Sequence, residues 1–162
     1  MKKCVDIVVT YNRKELLREN ISALIKQSYR DHDILVIDNA STDGTQKMVE
    51  ELNNPFIRYY NTGKNLGGAG GFSYGLKIAA EGNYRYAWIM DDDSIPENSA
   101  LESLINKSDA LKDEFSFLAS LVYWIDGNIF PMNFPRCDYK VVDKTPHMFV
   151  NKFRLLPITG GS

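Results

Sequence analysis

Three adjacent carboxylates, Asp91, Asp92 and Asp93, carry the strongest chemical signal in this sequence. They follow the apolar-rich run 84–90, which has the length and composition of a buried strand. Neighbouring carboxylates repel one another, and a divalent cation offsets that repulsion because hard cations take carboxylate oxygens as ligands. Mg²⁺ and Mn²⁺ also bind phosphate oxygens, so the cluster indicates a substrate with a diphosphate group. Because alternate side chains of an extended segment point the same way, we expect Asp91 and Asp93 to share one ion.

The alternative interpretation of this cluster is a solvated acidic turn that caps the following helix. Such a turn would account for many runs of aspartate, because carboxylates are favourable near a helix N-terminus. The strand-like run in front of Asp91 favours ligand binding here, since the ligand sites of α/β proteins lie at the ends of strands.

A further carboxylate, Asp38, ends the short apolar run 33–37. At a strand end it is placed to accept hydrogen bonds from a ribose or a base. The polar segment 41–45 behind it offers N-cap residues for a helix, which explains residues 43–45 but not Asp38. A phosphatase-like interpretation fails, because Ser41 stands where that motif needs a nucleophilic aspartate.

The glycine-rich segment 65–72 matches neither of the common phosphate-binding loops. A Gly-x-Gly-x-x-Gly frame that starts at Gly68 ends on Ser73, and no Gly-Lys-Ser/Thr sequence follows. We therefore interpret the segment as a flexible turn where the backbone approaches a ligand or a neighbouring helix closely. Asn65, at its start, is a candidate ligand contact.

Strands are predicted to alternate with helices along the chain, as hydrophobic periodicity and turn residues indicate. The strands are predicted at residues 4–10, 33–37, 56–60, 84–90 and 115–122. The helices are predicted near residues 16–25, 45–52 and 72–80, and from Pro96 to about 105. This order predicts an α/β fold with a doubly wound, mostly parallel sheet flanked by helices.

Polar segments follow four of the predicted strands at the same end. They comprise residues 10–13, 38–41, 64–71 and 91–94. Because ligands of such sheets bind at the carboxyl ends of the strands, near the point where the strand order reverses, these segments together predict one polar ligand site.

The bulk composition excludes several classes of function. The chain has 162 residues and a net charge of −2, which gives no basic footprint for nucleic acid. Cys4 and Cys137 are isolated thiols, typical of a reducing cytoplasm and not of a disulfide framework or a zinc site. The apolar-rich segment 115–125 is about half of the ~20 residues that cross a bilayer. We expect no transmembrane segment, and peripheral contact with a membrane stays open.

The chain stops just after the apolar run 155–158, without a helix end or a polar tail. We therefore expect residues 1–162 to form a single domain that is incomplete at its C-terminus. His32 and His147 have no spacing typical of metal ligands, and we interpret both as ordinary structural residues.

Four segments in a fixed order resemble the family 2 glycosyltransferases of the GT-A fold, a Rossmann-like fold. They are Val-Val-Thr-Tyr-Asn-Arg at 8–13, Val-Ile-Asp-Asn-Ala-Ser-Thr-Asp-Gly-Thr at 36–45, Asn-Leu-Gly-Gly-Ala-Gly-Gly-Phe at 65–72 and Met-Asp-Asp-Asp-Ser-Ile-Pro at 90–96. They cover about the first hundred residues. The glycine-rich run followed by three aspartates is most similar to the galactofuranosyltransferase branch, with rhamnosyltransferase-like members nearby.

The resemblance implies a nucleotide-diphosphate sugar donor, UDP-linked, and Mn²⁺ or Mg²⁺ as cofactor. The residues it assigns to donor binding are Thr10, Tyr11, Arg13, Asp38, Asn65, Asp91 and Asp92. Within that set, the loop after the first strand holds nucleobase and phosphates, and Asp38 contacts the uridine. Asp91 and Asp93 are the implied metal ligands, with Asp93 the direct one.

The resemblance further implies inverting transfer to a glycan or lipid-linked glycan acceptor in polysaccharide biosynthesis, at the cytoplasmic side of the membrane. The family's catalytic base is a carboxylate in an acceptor-side motif, and no residue of this sequence matches it. Asp126, Asp138 and Asp143 lack the context of that motif, so the catalytic residue stays unknown.

Two other classes of function stay open. A sugar-nucleotide nucleotidyltransferase would need a glycine-rich loop near its N-terminus, and residues 8–13 contain no glycine. The other is a donor-binding fragment without transfer activity, which the missing acceptor-side motif favours.

Overall fold

The computed structural model describes residues 3–112, 115–120, 122–123 and 126–128. The chain divides into two compact units, Met1–Leu101 and Glu102–Ser162. The sheet and all of the donor-site residues named above lie in the first unit. Within the described residues, no helix is both long enough and apolar enough to cross a bilayer.

Strands and helices alternate through the described part of the chain, as the sequence predicts. In chain order they are β1 (Cys4–Thr10), α1 (Lys14–Ile25), β2 (His32–Asp38), α2 (Thr45–Glu51), β3 (Ile57–Asn61), α3 (Gly67–Glu81), β4 (Tyr86–Asp91) and α4 (Ala100–Ala110). The predicted bounds of β1 coincide with the observed ones, and those of β2 and β3 differ by one residue at each end.

The four strands form one parallel sheet in the order β3-β2-β1-β4. The chain therefore starts in the middle of the sheet, adds β2 and β3 on one side and then crosses to the other side for β4. This crossing creates a switch point between β1 and β4, where the loops that follow these two strands diverge. The predicted doubly wound parallel sheet is confirmed.

Helices cover both faces of this sheet. On one face, Val8 and Val36 pack with Leu17, Ile21 and other apolar residues of α1 and α2. On the other face, Ile7 and Ile37 pack against α3. The side chains of β1 and β2 point alternately to the two helical layers, which explains why consecutive residues of these strands, such as 7–9 and 34–37, are apolar.

The glycine-rich segment is the first part of a helix, so the predicted flexible turn is wrong. Helix α3 begins at Gly67 and contains residues 67–71 within it. The cause is packing: a Cβ on Gly71 would lie 2.5 Å from Cγ1 of Val9, and one on Gly75 would lie 2.6 Å from Cγ2 of Ile7. Glycine lets α3 approach the sheet closely, and this tertiary contact outweighs the poor helix propensity of glycine.

Replacing Gly75 by alanine is expected to destabilise the protein by about 1–3 kcal/mol, the cost of overpacking a filled core. The added methyl group would meet Ile7 and Ile37, which are fully buried and cannot withdraw. Gly68→Ala in the same helix is the matched control, because its Cβ would meet nothing within 4 Å. That control should be neutral or slightly stabilising. Urea unfolding measures both variants, and equal stabilities would refute the close approach.

Three further predictions differ from the structure. The helix predicted from Pro96 begins at Ala100, after a turn. Strand β4 lies at an edge of the described sheet and is exposed on one face, with Ile89 at 50% exposure, so it is not the fully buried strand that its apolar residues predict. The strand predicted over 115–122 is not seen, since its described residues include only an isolated bridge at Ala119.

Candidate functional site

The carboxyl ends of the strands bring the predicted site residues to one edge of the sheet. Thr10 at the end of β1 pairs in register with Asp38 at the end of β2, and Asp38 pairs with Asn61 at the end of β3. On the other side of β1, Val9 pairs with Asp91, the last residue of β4. Parallel pairing thus places Thr10, Asp38 and the acidic residues side by side, as predicted.

Asp92 turns inward, and Thr10 at the end of β1 and Arg13 in the loop after it hold its side chain. Its side chain is 4% exposed. The hydroxyl of Thr10 donates to Oδ2 of Asp92 at 2.7 Å, and Nη1 of Arg13 donates to Oδ1 at 3.3 Å. The same Nη1 also lies 3.2 Å from Oδ2 of Asp93. Residues 91–93 form a turn after β4, here called the acidic turn. Charged and polar contacts at the switch point connect it to the end of β1 and to the loop after β1.

Asp91 and Asp93 face solvent, unlike Asp92 between them. Partial desolvation, and then the repulsion of Asp93 and Asp92, raise the pKa of Asp91 above its usual range. Within the described residues, no group of three or more His, Cys, Asp or Glu side chains is arranged to hold a metal ion. The two exposed carboxylates of Asp91 and Asp93 fit Mg²⁺ or Mn²⁺, because such ions need only one or two carboxylates when phosphates and waters complete the coordination.

Asn20 and Gln27 hold the segment that follows the acidic turn. Neither residue was among those predicted from the sequence. Asn20 lies on α1 and Gln27 lies two residues beyond its end, and both side chains are fully buried. Nδ2 of Asn20 donates to the carbonyl of Ser94 at 2.6 Å, and Nε2 of Gln27 donates to the carbonyl of Glu97 at 2.7 Å. The sequence does indicate these two residues, because they are amides seven residues apart, in line with the apolar face of α1 and its continuation.

Asp38 is fully buried, and both of its carboxylate oxygens already accept hydrogen bonds. Oδ1 accepts from the backbone N–H of Ser41 at 2.8 Å, and Oδ2 accepts from the hydroxyl of Tyr59. Burial, and then the hydrogen bond to Asp38, raise the pKa of Tyr59 well above its usual range. Asp38 therefore organises the loop behind β2, and Tyr59 is a partner that sequence reasoning did not find.

The loops after β1 and β2 clasp each other through Asn12, which has a left-handed backbone with φ of 52°. The backbone N–H of Asn12 donates to Oγ of Ser41 at 2.8 Å, and the N–H of Thr42 donates to Oδ1 of Asn12 at 2.8 Å. Asparagine tolerates this backbone conformation better than most residues. The clasp fixes Tyr11, which is 44% exposed, and Arg13 on one loop relative to Asp38 on the other.

One carboxylate, Asp43, serves the first turns of two helices. Oδ2 accepts from the N–H of Lys14 at 2.9 Å, at the start of α1, and Oδ1 accepts from the N–H of Thr45 at 3.1 Å, at the start of α2. Partial burial acts to raise the pKa of Asp43, but the hydrogen bonds from Thr45 and Lys14 outweigh it and lower the pKa. The predicted N-cap role of the segment 43–45 is thus extended to a second helix.

Asp43→Ala is expected to destabilise the protein by about 1–2 kcal/mol at neutral pH, the range for loss of a helix cap. Because the folded state lowers the pKa of Asp43, its contribution is present above the unfolded value of 3.8 and is lost as the pH falls through the lower, folded value. The difference between wild type and variant should therefore be constant from about pH 5 to 8 and shrink in acid. Thermal melts with the exposed Glu51→Ala as control measure this, and a difference that grows in acid would contradict it.

Asn65 is exposed and lies directly before α3. Its Oδ1 accepts from the N–H of Gly67 at 2.8 Å. The buried Asn39 anchors the same segment, donating to the carbonyl of Gly67 at 3.1 Å and accepting from the N–H of Leu66 at 3.3 Å. Asn65 thus lies beside the loop after β2, and Asn39 is a further positioning residue that the sequence analysis passed over.

The candidate bases lie away from this group of residues in the chain. Asp126, in the second unit, is exposed, and its Oδ1 accepts from the N–H of Asn128 at 2.9 Å. That hydrogen bond lowers the pKa of Asp126, which weakens it as a base. Asp138 and Asp143 lie outside the described residues, as do His147 and Cys137.

His32 is a structural residue at the opposite edge of the sheet. Nδ1 of His32 is paired with Oδ2 of Asp6, and both side chains are buried. Cys4 beside them is buried and free, and burial raises the pKa of its thiol. This cluster lies at the amino ends of β1 and β2, a strand length from the acidic turn.

The family model described as "Glycosyl transferase family 2" matches residues 7–157 of this chain. The galactofuranosyltransferase GlfT1 of Mycolicibacterium smegmatis is 31% identical over 99 residues, which cover 61% of this chain and 32% of that protein. The chain spans about a third of the length of this relative.

Two solved structures are similar in fold. S. aureus TarS 1–349, in complex with UDP, has a TM-score of 0.61 and 26% identity, and the match covers 68% of this chain and 33% of that one. The mannosyltransferase PcManGT from Pyrobaculum calidifontis, in complex with GDP-Man and Mn²⁺, has a TM-score of 0.60 and 25% identity, with 76% of this chain and 36% of that one covered.

Proposed function

The chain belongs to glycosyl transferase family 2, and from that premise we propose that it binds the UDP-linked sugar donor of an inverting, metal-assisted transfer to a glycan or lipid-linked glycan. Membership of this family sets aside the nucleotidyltransferase alternative. We further propose that this transfer serves polysaccharide biosynthesis and takes place at the cytoplasmic side of the membrane.

The observation that carries the proposal is the contact of Thr10 and Arg13 with Asp92 and Asp93 at the switch point. These residues come from the loops after β1 and β4, where ligands of doubly wound sheets bind. They combine a cationic fork, which suits phosphate, with carboxylates, which suit a hard cation. The two chemistries next to each other match a metal-bound diphosphate.

Within this proposal, Asp91 and Asp93 hold the cation, which when bound neutralises the negative charge of the departing diphosphate. Asp92 would not face the cation, because it is nearly fully buried and accepts a hydrogen bond from the hydroxyl of Thr10. Its role is to fix the acidic turn on β1. The guanidinium of Arg13 is half exposed and lies where it can also bind phosphate oxygens.

The nucleoside is proposed to lie against the clasped loops 11–13 and 38–42 and Asn65. Tyr11 presents an exposed aromatic ring there, which is suited to stacking on a base. The carboxylate of Asp38 has further lone pairs beyond those used by Ser41 and Tyr59. Because Asp38 is fully buried, base recognition by it requires the loop behind β2 to open a path to it.

Replacing Asp38 by asparagine is expected to weaken the binding of both uridine and UDP by about 1.5–3 kcal/mol, the range for a hydrogen bond to a charged group. The loss should be the same with and without Mn²⁺, because the base lies away from the metal. Isothermal calorimetry measures it, and circular dichroism checks the fold of this buried variant.

Tyr59→Phe is the matched control, since it removes one partner of Asp38 but leaves the carboxylate. It should bind uridine nearly as the wild type does. An equal loss in Tyr59→Phe would show that Asp38 only orders the loop, and a loss confined to the Mn²⁺ complex would place Asp38 in the diphosphate site.

The donor class is tested by a calorimetric screen of UDP, GDP, dTDP and CMP and of their sugar derivatives, each with and without Mn²⁺. We expect the tightest binding for uridine nucleotides, strengthened by Mn²⁺. Preference for a guanosine nucleotide would overturn the assignment of UDP. The absence of nucleotide binding under all conditions would overturn the proposed function.

A further inference from the structure

We infer that Arg13 is an exchangeable counter-ion of the acidic turn, which pairs with the proposed metal ligand Asp93 before the donor binds and moves to the diphosphate when the cation arrives. The inference rests on the proposed function and adds a coupling between metal and nucleotide. Because Arg13 belongs to this chain, the binding of Mn²⁺ without nucleotide is enough to test the exchange.

One nitrogen atom of Arg13 bridges two carboxylates of the acidic turn. Nη1 lies 3.3 Å from Oδ1 of Asp92 and 3.2 Å from Oδ2 of Asp93. Asp93 is one of the two carboxylates proposed to hold the metal, and its side chain is 53% exposed. A divalent cation bound to Asp93 would lie next to this positive nitrogen, so the two cannot share the site without strong repulsion.

The acidic turn needs such a counter-ion because it places three carboxylates in sequence. Neighbouring carboxylates repel one another, and the structure places the guanidinium of Arg13 against two of them, Asp92 and Asp93. Asp92 is nearly fully buried, and Nη1 of Arg13 and the hydroxyl of Thr10 each contact one of its oxygens. Arg13 thus stabilises the turn when no metal is bound.

Arg13 is free to leave because its guanidinium is not packed. Its side chain is 53% exposed, and its ion pair with the equally exposed Asp93 contributes little to stability. Asp92 keeps the hydrogen bond from the hydroxyl of Thr10 when Arg13 moves. The planar guanidinium is suited to two phosphate oxygens, so a diphosphate gives it a better partner than the one it leaves.

Exchange of this kind makes metal and diphosphate bind cooperatively. The metal alone must displace Arg13 into solvent, whereas a metal that arrives with a diphosphate displaces it onto an anion. Coupling between two ligands is reciprocal and commonly amounts to about 5–150-fold in affinity. Arg13 therefore lowers the affinity of the site for the metal when the donor is absent.

The test compares the wild type with Arg13→Gln, which removes the charge, and Arg13→Lys, which keeps it. Mn²⁺ binding without nucleotide is measured by the electron paramagnetic resonance signal of free Mn²⁺. UDP binding is measured by calorimetry in the presence of EDTA. Arg18→Gln is the matched control, because Arg18 is exposed like Arg13 but its ion pair is with Glu15 of α1 and not with a carboxylate of the acidic turn.

Arg13→Gln is expected to bind Mn²⁺ alone about fivefold more tightly, because the metal no longer has to break the ion pair between Arg13 and Asp93. The factor is that for two unit charges ~4 Å apart in water-like surroundings. It should bind UDP alone more weakly than the wild type. Arg13→Lys and Arg18→Gln should keep the Mn²⁺ affinity of the wild type.

Mn²⁺ affinity that is unchanged or weaker in Arg13→Gln would overturn the exchange, even if its UDP affinity falls, because Arg13 would then be only a phosphate contact. If the wild type fails to bind UDP with Mn²⁺, the proposed function itself fails. The two failures are therefore distinguishable.

Discussion

Replacing Asp93 by alanine is expected to abolish the enhancement of UDP binding by Mn²⁺ while the fold stays intact. Asp93 is half exposed, and its described contact is the ion pair with Arg13, so its removal leaves the core unchanged. Asp93 is the direct metal ligand that the family resemblance implies, so its removal takes away one of the two proposed carboxylate ligands together with its negative charge. Calorimetry of UDP with and without Mn²⁺ gives the enhancement as a ratio of affinities, which should fall to about one.

Glu81→Ala is the control for this experiment, since it also removes one exposed carboxylate but lies at the C-terminal end of α3. It should retain the full enhancement. Asp93→Asn should lose the enhancement as Asp93→Ala does, because an amide oxygen carries no charge. A folded Asp93→Ala protein with the metal dependence of the wild type would refute the assignment of Asp93 as a metal ligand.

The 162-residue chain is expected to bind the donor but not to transfer sugar at an ordinary enzymatic rate. General-base assistance is typically worth about 10²–10⁴-fold, and positioning of the acceptor contributes more. No residue of the sequence matches the acceptor-side base, and the hydrogen bond from Asn128 lowers the pKa of the exposed Asp126. The chain spans about a third of the length of its relative GlfT1.

The measurement is incubation of the purified chain with UDP-galactofuranose, UDP-galactose and other nucleotide sugars, Mn²⁺ and a panel of glycan acceptors. Slow hydrolysis of the donor by water is compatible with the expectation, whereas transfer at ordinary rates contradicts it. In that case the base lies within these residues, and Asp126, Asp138 and Asp143 are the first to replace.

The sheet was largely predictable because its central strands are buried on both faces. Residues 4–10 are an apolar run interrupted by one buried aspartate, and the structure makes β1 of this run. The edge position of β4 was not predictable, because an apolar run looks the same whether one face or both are covered. The acidic turn was still located correctly, since it needs only the end of the strand.

The helical glycines show where local propensity fails. Glycine costs about 1 kcal/mol relative to alanine within a helix, so a segment with five glycines over 67–75 argues against one. The close packing of Gly71 on Val9 and Gly75 on Ile7 reverses that preference. A contact between α3 and the sheet is invisible until the topology is known.

The roles within the site needed tertiary structure for the same reason. Arg13 and Asp92 are 79 residues apart, and only the switch point between β1 and β4 brings them together. Tyr59 lies 21 residues beyond Asp38 and reaches it through the register of β2 and β3. The sequence predicted which residue types gather at this edge, but not which of them bind one another.

The central claim is that the metal-bound nucleotide lies at the carboxyl edge of the sheet, and paramagnetic broadening by Mn²⁺ tests it most directly. Amide signals of a ¹⁵N-labelled chain with UDP are recorded during addition of substoichiometric Mn²⁺, with Mg²⁺ as diamagnetic control. The amides of residues 10–13 and 91–93 should broaden first. Those of Cys4, His32 and Tyr86, about 20 Å away at ~3.3 Å per strand residue, should broaden last. Earlier broadening at Cys4 and His32, or broadening unaffected by UDP, would contradict the claim.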